Sequence, residues 1–293
     1  MRFPSEIVVL AVRWCLRYSL SYRDLEELLA ERGVEVDHVT VFRWLQRFTP
    51  LLADAARPCR HAVGDRWFVD ETYVKVAGVW RYVYRAVHQH GQIIDVYVSP
   101  KRDIAAARRF FQTALGAHGK PVEVATDRAP ALRAAVDELV PAAFHNSEQY
   151  ANNRIEADHG RLKARLRPMR GLKRDHSARV IISGHALMQN IRRGHYELGC
   201  DAHPHRRVAT AFTELAQTIR THRPRTVLEH RDSNQRNRAQ AIYQLAASCD
   251  EAAPSPGIYV VAPANGPRRL LRALSPSARR VSPEGIEPST EGL

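Results

Sequence analysis

Three acidic residues occupy positions from which they could share one catalytic site. Asp70 lies within the apolar segment WFVDETY, Asp127 directly follows VEVAT, and Glu156 lies early in a predicted helix. A carboxylate among apolar neighbours is costly without a partner, and a cation is a natural one. In-line chemistry at a phosphodiester needs two hard cations about 4 Å apart, held largely by carboxylates. The set therefore predicts a site for two Mg²⁺ ions, with Mn²⁺ as a substitute.

A basic residue accompanies the third acid. Lys163 follows Glu156 by seven residues, or two helical turns, so both share one helix face. Its ammonium group can bind a DNA phosphate beside the metals as a point charge. Each of these residues taken alone is more often solvated, so the prediction depends on their joint placement. Four other carboxylates compete for the same role: Glu71, Asp95, Asp103 and Asp158. Strand alternation places Glu71 on the face opposite Asp70.

The elements around these acids follow a recognisable order. Strands rich in β-branched and aromatic residues are predicted at 66–76, 80–88 and 93–99, joined by tight turns. A helix near 103–119, a strand at 122–126 and a helix near 132–140 come next. A helical region then runs from about residue 152 to 196, with a break at 168–171. This order predicts an α/β, ribonuclease H-like mixed-sheet core.

The first 55 residues predict a helix-turn-helix module. Ser21 and Asp24 form a capping-box pattern, Gly33 ends the first helix, and Asp37 caps a second helix predicted to end at Pro50. An apolar stripe on the second helix is predicted from Val39, Phe42 and Leu45. Its DNA-facing residues are predicted to be His38, Thr40, Arg43 and Arg47. An ordinary helical hairpin is the alternative interpretation.

The charge of the chain indicates a nucleic-acid partner. Lys and Arg outnumber Asp and Glu by 44 to 31, giving a net charge of +13 and a pI of about 10.0. A merely basic protein is the alternative. The hydrophobic fraction of 44% excludes wholesale disorder. The four cysteines lie far apart, and neither a signal peptide nor a transmembrane segment is apparent. We therefore expect a cytoplasmic, nucleoid-associated protein without a membrane partner.

The C-terminal part has a different composition. Residues 200–229 predict an accessory helical segment, with an amphipathic helix at 208–219. Residues 230–293 are interrupted by many prolines and predict a flexible or disordered tail. Such a tail is either functional, through its arginines, or the result of read-through past the usual end of the gene.

Three sequence blocks together resemble the DDE transposases of bacterial insertion sequences, in the insertion-sequence "six" family. They are WFVDETYVKV, ATDRAPA and YANNRIEADHGRLK, and the resemblance runs from about residue 4 to 199. It implies a ribonuclease H-like catalytic domain at 62–199 behind the helix-turn-helix. It also implies that Asp70, Asp127 and Glu156 are the catalytic metal ligands and that Lys163 is the accompanying basic residue.

The activity implied by the resemblance is DNA transposition. Such an enzyme binds the terminal inverted repeats of its element and transfers the cut strand to target DNA, usually replicatively through a cointegrate and as a homo-oligomer on DNA. One departure is the spacing of 28 residues between Asp127 and Glu156, which is shorter than usual in the family and leaves the structure of 141–149 open. The alternatives are a ribonuclease H-like nuclease or resolvase, and an inactive DNA-binding remnant.

Overall fold

The computed structural model describes residues 3–148, 151–169 and 171–221. The predicted tail at 230–293 lies outside these residues, as does the end of the accessory segment. Within them, no helix is long and apolar enough to cross a membrane. The helices are α1 (Ser5–Arg17), α2 (Tyr22–Ala30), α3 (His38–Ala56), α4 (Ile104–His118), α5 (Pro130–Leu139), α6 (Asn153–Leu166), α7 (Asp175–Arg192) and α8 (Arg207–Thr221).

A five-stranded mixed sheet forms the centre of the fold. Its strands are β1 (Arg66–Val76), β2 (Val79–His88), β3 (Ile93–Ser99), β4 (Glu123–Thr126) and β5 (Phe144–Asn146), in the order β3-β2-β1-β4-β5. The first three are antiparallel, whereas β4 pairs in parallel with β1 and β5 with β4. This order and these directions define a ribonuclease H-like sheet, so the predicted fold class is confirmed.

Side chains alternate along β1, so both faces of the sheet present apolar residues. Helices cover both of these faces. Trp67 and Val69 enter a core with α4 and α5, whereas Phe68 and Val74 face the side covered by α6 and α7. The hairpin between β1 and β2 turns at Ala77 and Gly78, with φ angles of 50° and 80°. Two consecutive positive φ angles are what a two-residue hairpin turn of the favoured hand requires.

The capping predicted for the N-terminal helices is present. Ser21 and Asp24 form a reciprocal capping box, and the Asp37 side chain accepts from the backbone N–H groups of Val39 and Thr40. The predicted end of α3 at Pro50 was wrong, because the helix continues to Ala56. Proline inside a helix costs about 3 kcal/mol. Leu52 is fully buried beyond it, and burying one such side chain contributes about 1.5–3 kcal/mol, which offsets much of that cost.

The apolar stripe predicted on α3 was right for Leu45 but not for Val39 and Phe42. Val39 is 42% exposed and Phe42 is only half-buried, whereas Val41, Leu45 and Phe48 are buried. Both sets have helical spacing, so periodicity alone did not distinguish them. The packing of α3 against α1, α7 and α8 selects the second set.

The N-terminal helices share an apolar core with the last two helices. Residues 7–16 of α1 are all buried, in contact with a cluster that includes Ile181 of α7 and Phe212 of α8. The helix expected at 208–219 is thus present as α8. The first expected domain boundary, between residues 55 and 62, begins in the last turn of α3 and continues into the connection to β1. The second, near residue 199, lies in the connection between α7 and α8, and both boundaries stay predictions.

Candidate active site

Parallel pairing brings the first two predicted acids together. Val69 of β1 is paired with Thr126 of β4, so Asp70 and Asp127 are the next residues on adjacent strands. Neighbouring strands lie about 4.8 Å apart. Carboxylate oxygens of Asp70, Glu71 and Asp127 all lie within 4.8 Å of one another. Strand order and register therefore account for an acidic cluster at the carboxyl end of β4.

Glu71 belongs to this cluster although alternation directs it to the other face of β1. The pairing of β1 with β4 ends at Val69, so this edge of β1 has no strand beside it from Asp70 until the bridge between Val76 and Leu172. Side chains from both faces can therefore reach the open edge. The facing of Glu71 was predicted, but its proximity to Asp127 was not.

The electrostatics of Asp70 fit a bound cation. Burial first, and then the charges of Asp127 and Glu71, raise the pKa of Asp70 to about 7. Its Oδ1 accepts a hydrogen bond of 2.8 Å from the backbone N–H of Glu71. The cluster thus concentrates like charge in a half-buried place, and its oxygen donors are those that hard divalent cations prefer.

Glu156 approaches the cluster from α6. It is exposed in the first turn of that helix, and its charge also contributes to the raised pKa of Asp70. It lies outside the group of oxygens within 4.8 Å of one another. Asn152 fixes the start of α6, because its Nδ2 donates to the carbonyl oxygen of Val69 at 3.0 Å. The helix therefore begins beside the residue that precedes Asp70.

His159 also contacts the site, and the sequence assigned it no role. Its Nδ1 lies 3.5 Å from Oδ2 of Asp70. Burial, followed by the charge of Arg85, lowers the pKa of His159 to about 4, so the ring is neutral near pH 7. The available signal was its spacing of three residues after Glu156, which places it on a neighbouring part of the same helix face.

Lys163 lies apart from the acids in this structure. It is exposed on α6, and its Nζ lies 4.9 Å from the ring centroid of Tyr73. Tyr73 is on β1, three residues after Asp70. Lys163 therefore lies beside the part of β1 that follows Asp70.

Arg102 is the second residue that sequence reasoning missed. Its guanidinium donates to Glu71, and its Nη2 lies 3.9 Å from Oδ2 of Asp127. Because Arg102 is half-exposed, it remains accessible to a ligand at the cluster. No sequence signal connects a residue after β3 to Asp127, since the contact depends on the path of the chain between β3 and α4.

The other competing carboxylates have structural roles. Asp103 caps α4 by accepting from the backbone N–H of Ala106 at 2.8 Å. Asp95 accepts from the backbone N–H of Val96 at 2.7 Å. Asp158 is buried and forms ion pairs with arginines from β2 and from the end of α7. These contacts leave Glu71 as the competitor that lies beside Asp70 and Asp127.

The four residues predicted to read DNA have different surroundings. Arg43 and Arg47 are exposed and share one face of α3. His38 places its Nδ1 2.9 Å from Oε2 of Glu26, and the hydroxyl of Thr40 donates to Asp37 at 2.7 Å. The two arginines are therefore the more available pair for contact with DNA.

The sequence of this chain is similar to those of known transposases. A family model described as a DDE domain matches residues 64–195. A transposase for the insertion sequence-like element IS431mec of Staphylococcus aureus is 38% identical over 169 residues, which cover 56% of this chain and 75% of that protein. A transposase for insertion sequence element IS257 in transposon Tn4003, also from Staphylococcus aureus, is 37% identical with the same coverage.

The solved structures that match are more distant. The HTLV-2 integrase catalytic core domain, in complex with magnesium, matches with a TM-score of 0.34 and 17% identity. The match covers 45% of this chain and 88% of that one. The order and the directions of the five strands, and not these matches, define the fold.

Proposed function

Because the chain belongs to the DDE transposases of bacterial insertion sequences, in the insertion-sequence "six" family, we propose that it binds the terminal inverted repeats of its own element, cuts a DNA strand there and joins the freed end to target DNA. A transposase of this family is a metal-dependent enzyme that acts on DNA. We propose that cutting precedes joining and that the terminal repeats are the binding site. We also propose that the outcome is replicative and forms a cointegrate.

The observation that supports the proposal is the meeting of Asp70, in the middle of β1, with Asp127, just after the end of β4, while Glu156 approaches from α6. These three carboxylates would hold divalent ions, Mg²⁺ in the first place and Mn²⁺ as a substitute. Bound there, the ions would supply activation of the attacking oxygen and stabilisation of the leaving oxygen. Burial and neighbouring like charges raise the pKa of Asp70, and a divalent cation bound there would offset them and keep the carboxylate ionised.

The surrounding residues would position the DNA. Neutral His159 lies against Asp70 and would help to orient its carboxylate. Lys163 and Arg102 would bind phosphates on either side of the acids, since both side chains are accessible there. Arg43 and Arg47 would contact base edges of the repeats in the major groove.

Joining element ends to target DNA also requires an assembly of protein copies. Two element ends and a target must be brought together, so we propose that a homo-oligomer forms on DNA in the nucleoid of the cytoplasm. The net charge of +13 supports a DNA-bound state, because neutralising phosphates releases their counterions.

The experiment compares three carboxylate variants with a matched surface variant. Asp70→Asn, Asp127→Asn and Glu156→Gln should lose cutting and joining of linear DNA that carries the element ends with Mg²⁺, and should keep end binding. Asp137→Asn is the control, because its carboxylate is exposed on α5. Retained joining in any of the three variants would remove that residue from the site. Cutting without joining by the unaltered protein would favour a nuclease, and binding alone would favour an inactive remnant.

A further inference from the structure

Two large aromatic side chains are exposed where the β1–β2 hairpin extends past the end of β4. Tyr73 is 55% exposed and Trp80 is 47% exposed. Their ring centroids lie 5.0 Å apart with an interplanar angle of 89°. Neither ring belongs to any of the apolar clusters formed by the described residues. The pair thus offers aromatic surface to a ligand instead of to the core.

Each ring is accompanied by a lysine. The Nζ of Lys75 lies 4.7 Å from the Trp80 ring centroid, and the Nζ of Lys163 lies 4.9 Å from that of Tyr73. These lysines come from different elements, β1 and α6, so the arrangement is a tertiary feature and not a local sequence effect. Aromatic faces with adjacent ammonium groups suit a ligand that carries both flat rings and negative charge.

The position of this patch limits the ligand further. Tyr73 follows Asp70 by three residues along an extended strand, a separation of about 10 Å. A chain that places a phosphate at the acidic cluster would therefore reach the aromatic pair within one or two nucleotides. A single DNA strand has this combination of spacing, charge and flat rings.

We propose that Tyr73 and Trp80, with Lys75 and Lys163, form a platform that stacks an unpaired base of the DNA strand beside the acidic cluster. This proposal rests on the proposed function, and it adds a binding site for an unstacked nucleotide to it. A base inside a duplex has no free face, so the ligand must be single-stranded or extruded there. Stacking tolerates every base, because each has a π-face, while the lysines bind the neighbouring phosphates.

The test measures binding to a short single-stranded oligonucleotide that contains one 2-aminopurine, with the full chain and without divalent metal. Tyr73→Leu and Trp80→Leu are compared with Phe144→Leu, whose ring is 65% exposed on β5 at the far edge of the sheet. Loss of one stack should weaken affinity by about tenfold. It should also remove the change in 2-aminopurine fluorescence on binding. The Phe144 variant should match the unaltered protein, and melting temperatures should agree for all four proteins because the three rings are exposed.

Equal affinity and equal fluorescence in the Tyr73, Trp80 and Phe144 variants would overturn the platform. An equal loss of affinity for a duplex of the same sequence would overturn it as well, since that result indicates a general contact with the backbone. Asp127→Asn separates the two proposals. If this variant still joins strands, the proposed function fails at that residue, whereas the metal-free binding assay does not depend on joining. If it is inactive and the aromatic variants bind normally, the platform alone fails.

Discussion

Arg85 on β2 donates to Asp158 on α6, and both side chains are buried, with exposures of 0% and 1%. Arg193, after α7, donates to the other carboxylate oxygen. Burial alone would raise the pKa of Asp158, but the two arginines hold it below its usual value. Glu156 is two residues earlier on the same helix. The ion pair therefore fixes α6 against the sheet and with it the direction from which Glu156 approaches.

We predict that Asp158→Asn strongly destabilises the fold. The substitution leaves the charge of buried Arg85 without compensation, and breaking a buried pair in this way costs about 3–5 kcal/mol. Urea unfolding measures the loss, with exposed Asp137→Asn as a control expected to stay within about 0.5 kcal/mol of the unaltered protein. A loss below about 1 kcal/mol in Asp158→Asn would show that water compensates Arg85. Replacing both partners, as Arg85→Met with Asp158→Leu, should recover part of the stability.

A second prediction concerns Arg102, which donates to Glu71 and lies near Asp127. If its guanidinium binds a DNA phosphate, Arg102→Ala should reduce the salt dependence of end binding by about one unit of slope. The control is Arg108→Ala, because Arg108 is similarly exposed but pairs with Glu138 on α5. The measurement is the logarithm of Kd against the logarithm of salt concentration. Identical slopes for the two variants would leave Arg102 with only its contact to Glu71.

Much of the sheet was predictable because local signals agree with tertiary structure there. The three antiparallel strands are rich in β-branched and aromatic residues, and Gly78 in the turn between β1 and β2 readily accepts a positive φ angle. β5 escaped prediction because three residues, Phe144–Asn146, are too few for a period to be recognised. The end of α3 was predicted wrongly because proline usually ends a helix. Burial of Leu52 stabilises the helix beyond Pro50.

The site residues that belong to sequence motifs were the ones that could be predicted. Asp70 and Asp127 meet because β1 and β4 are parallel neighbours, which strand order implies. Arg102 contacts the acids through the path of the loop after β3, which no sequence spacing indicates. His159 contacts Asp70 through the packing of α6, for which the spacing of three residues after Glu156 was the available signal. The proximity of Glu71 to Asp127 was not predicted, because alternation describes the face of a strand and not the reach of a long side chain at its open edge.

A third prediction tests end recognition by α3. Arg43 is exposed, so Arg43→Ala should weaken preference for the terminal repeat over random DNA without affecting the fold. Loss of a bidentate base contact costs about 1–3 kcal/mol of discrimination. Competition binding with repeat and random duplexes measures the ratio, and exposed Arg109→Ala on α4 is the control. If the ratio is unchanged in Arg43→Ala, another part of the chain reads the repeats.

A fourth prediction is that acid destabilises the protein through buried neutral histidines. Burial lowers the pKa of His185 to about 3, below the ordinary value of 6.5, and the nearby charges are those of Arg85, Asp158, Arg165 and Arg193. Between these two pH values the unfolded chain binds a proton that the folded chain does not. Stability is therefore complete above about pH 6.5 and is lost as the pH falls toward 3, by up to about 1.4 kcal/mol per pH unit for this group.

Unfolding free energies at pH 7.5, 6, 5 and 4 measure this dependence. The slope of unfolding free energy against pH is compared with that of His185→Gln. This substitution removes the titrating imidazole, so the slopes can be compared even if the variant is less stable at pH 7.5. The slope between pH 6 and 4 should be smaller in this variant than in the unaltered protein. Parallel curves would assign the acid sensitivity to other groups.

The last prediction concerns Lys163, whose ammonium group lies over the Tyr73 ring and near the open edge of β1. In a purely structural role this exposed contact contributes about 0.5–1 kcal/mol, so Lys163→Ala would change stability slightly and leave the rate of joining unaltered. In the proposed role the ammonium group binds a phosphate of the reacting strand. Its loss would then displace that strand, and a displacement of about 1 Å can lower a rate on the order of a hundredfold. Strand-joining rate and melting temperature should be measured together at saturating Mg²⁺, with exposed Lys173→Ala as the control. We expect Lys163→Ala to melt within a few degrees of the unaltered protein and to join strands far more slowly, and Lys163→Arg to recover most of the rate because it retains the charge. A Lys163→Ala variant as fast as Lys173→Ala would reduce Lys163 to a surface contact of Tyr73.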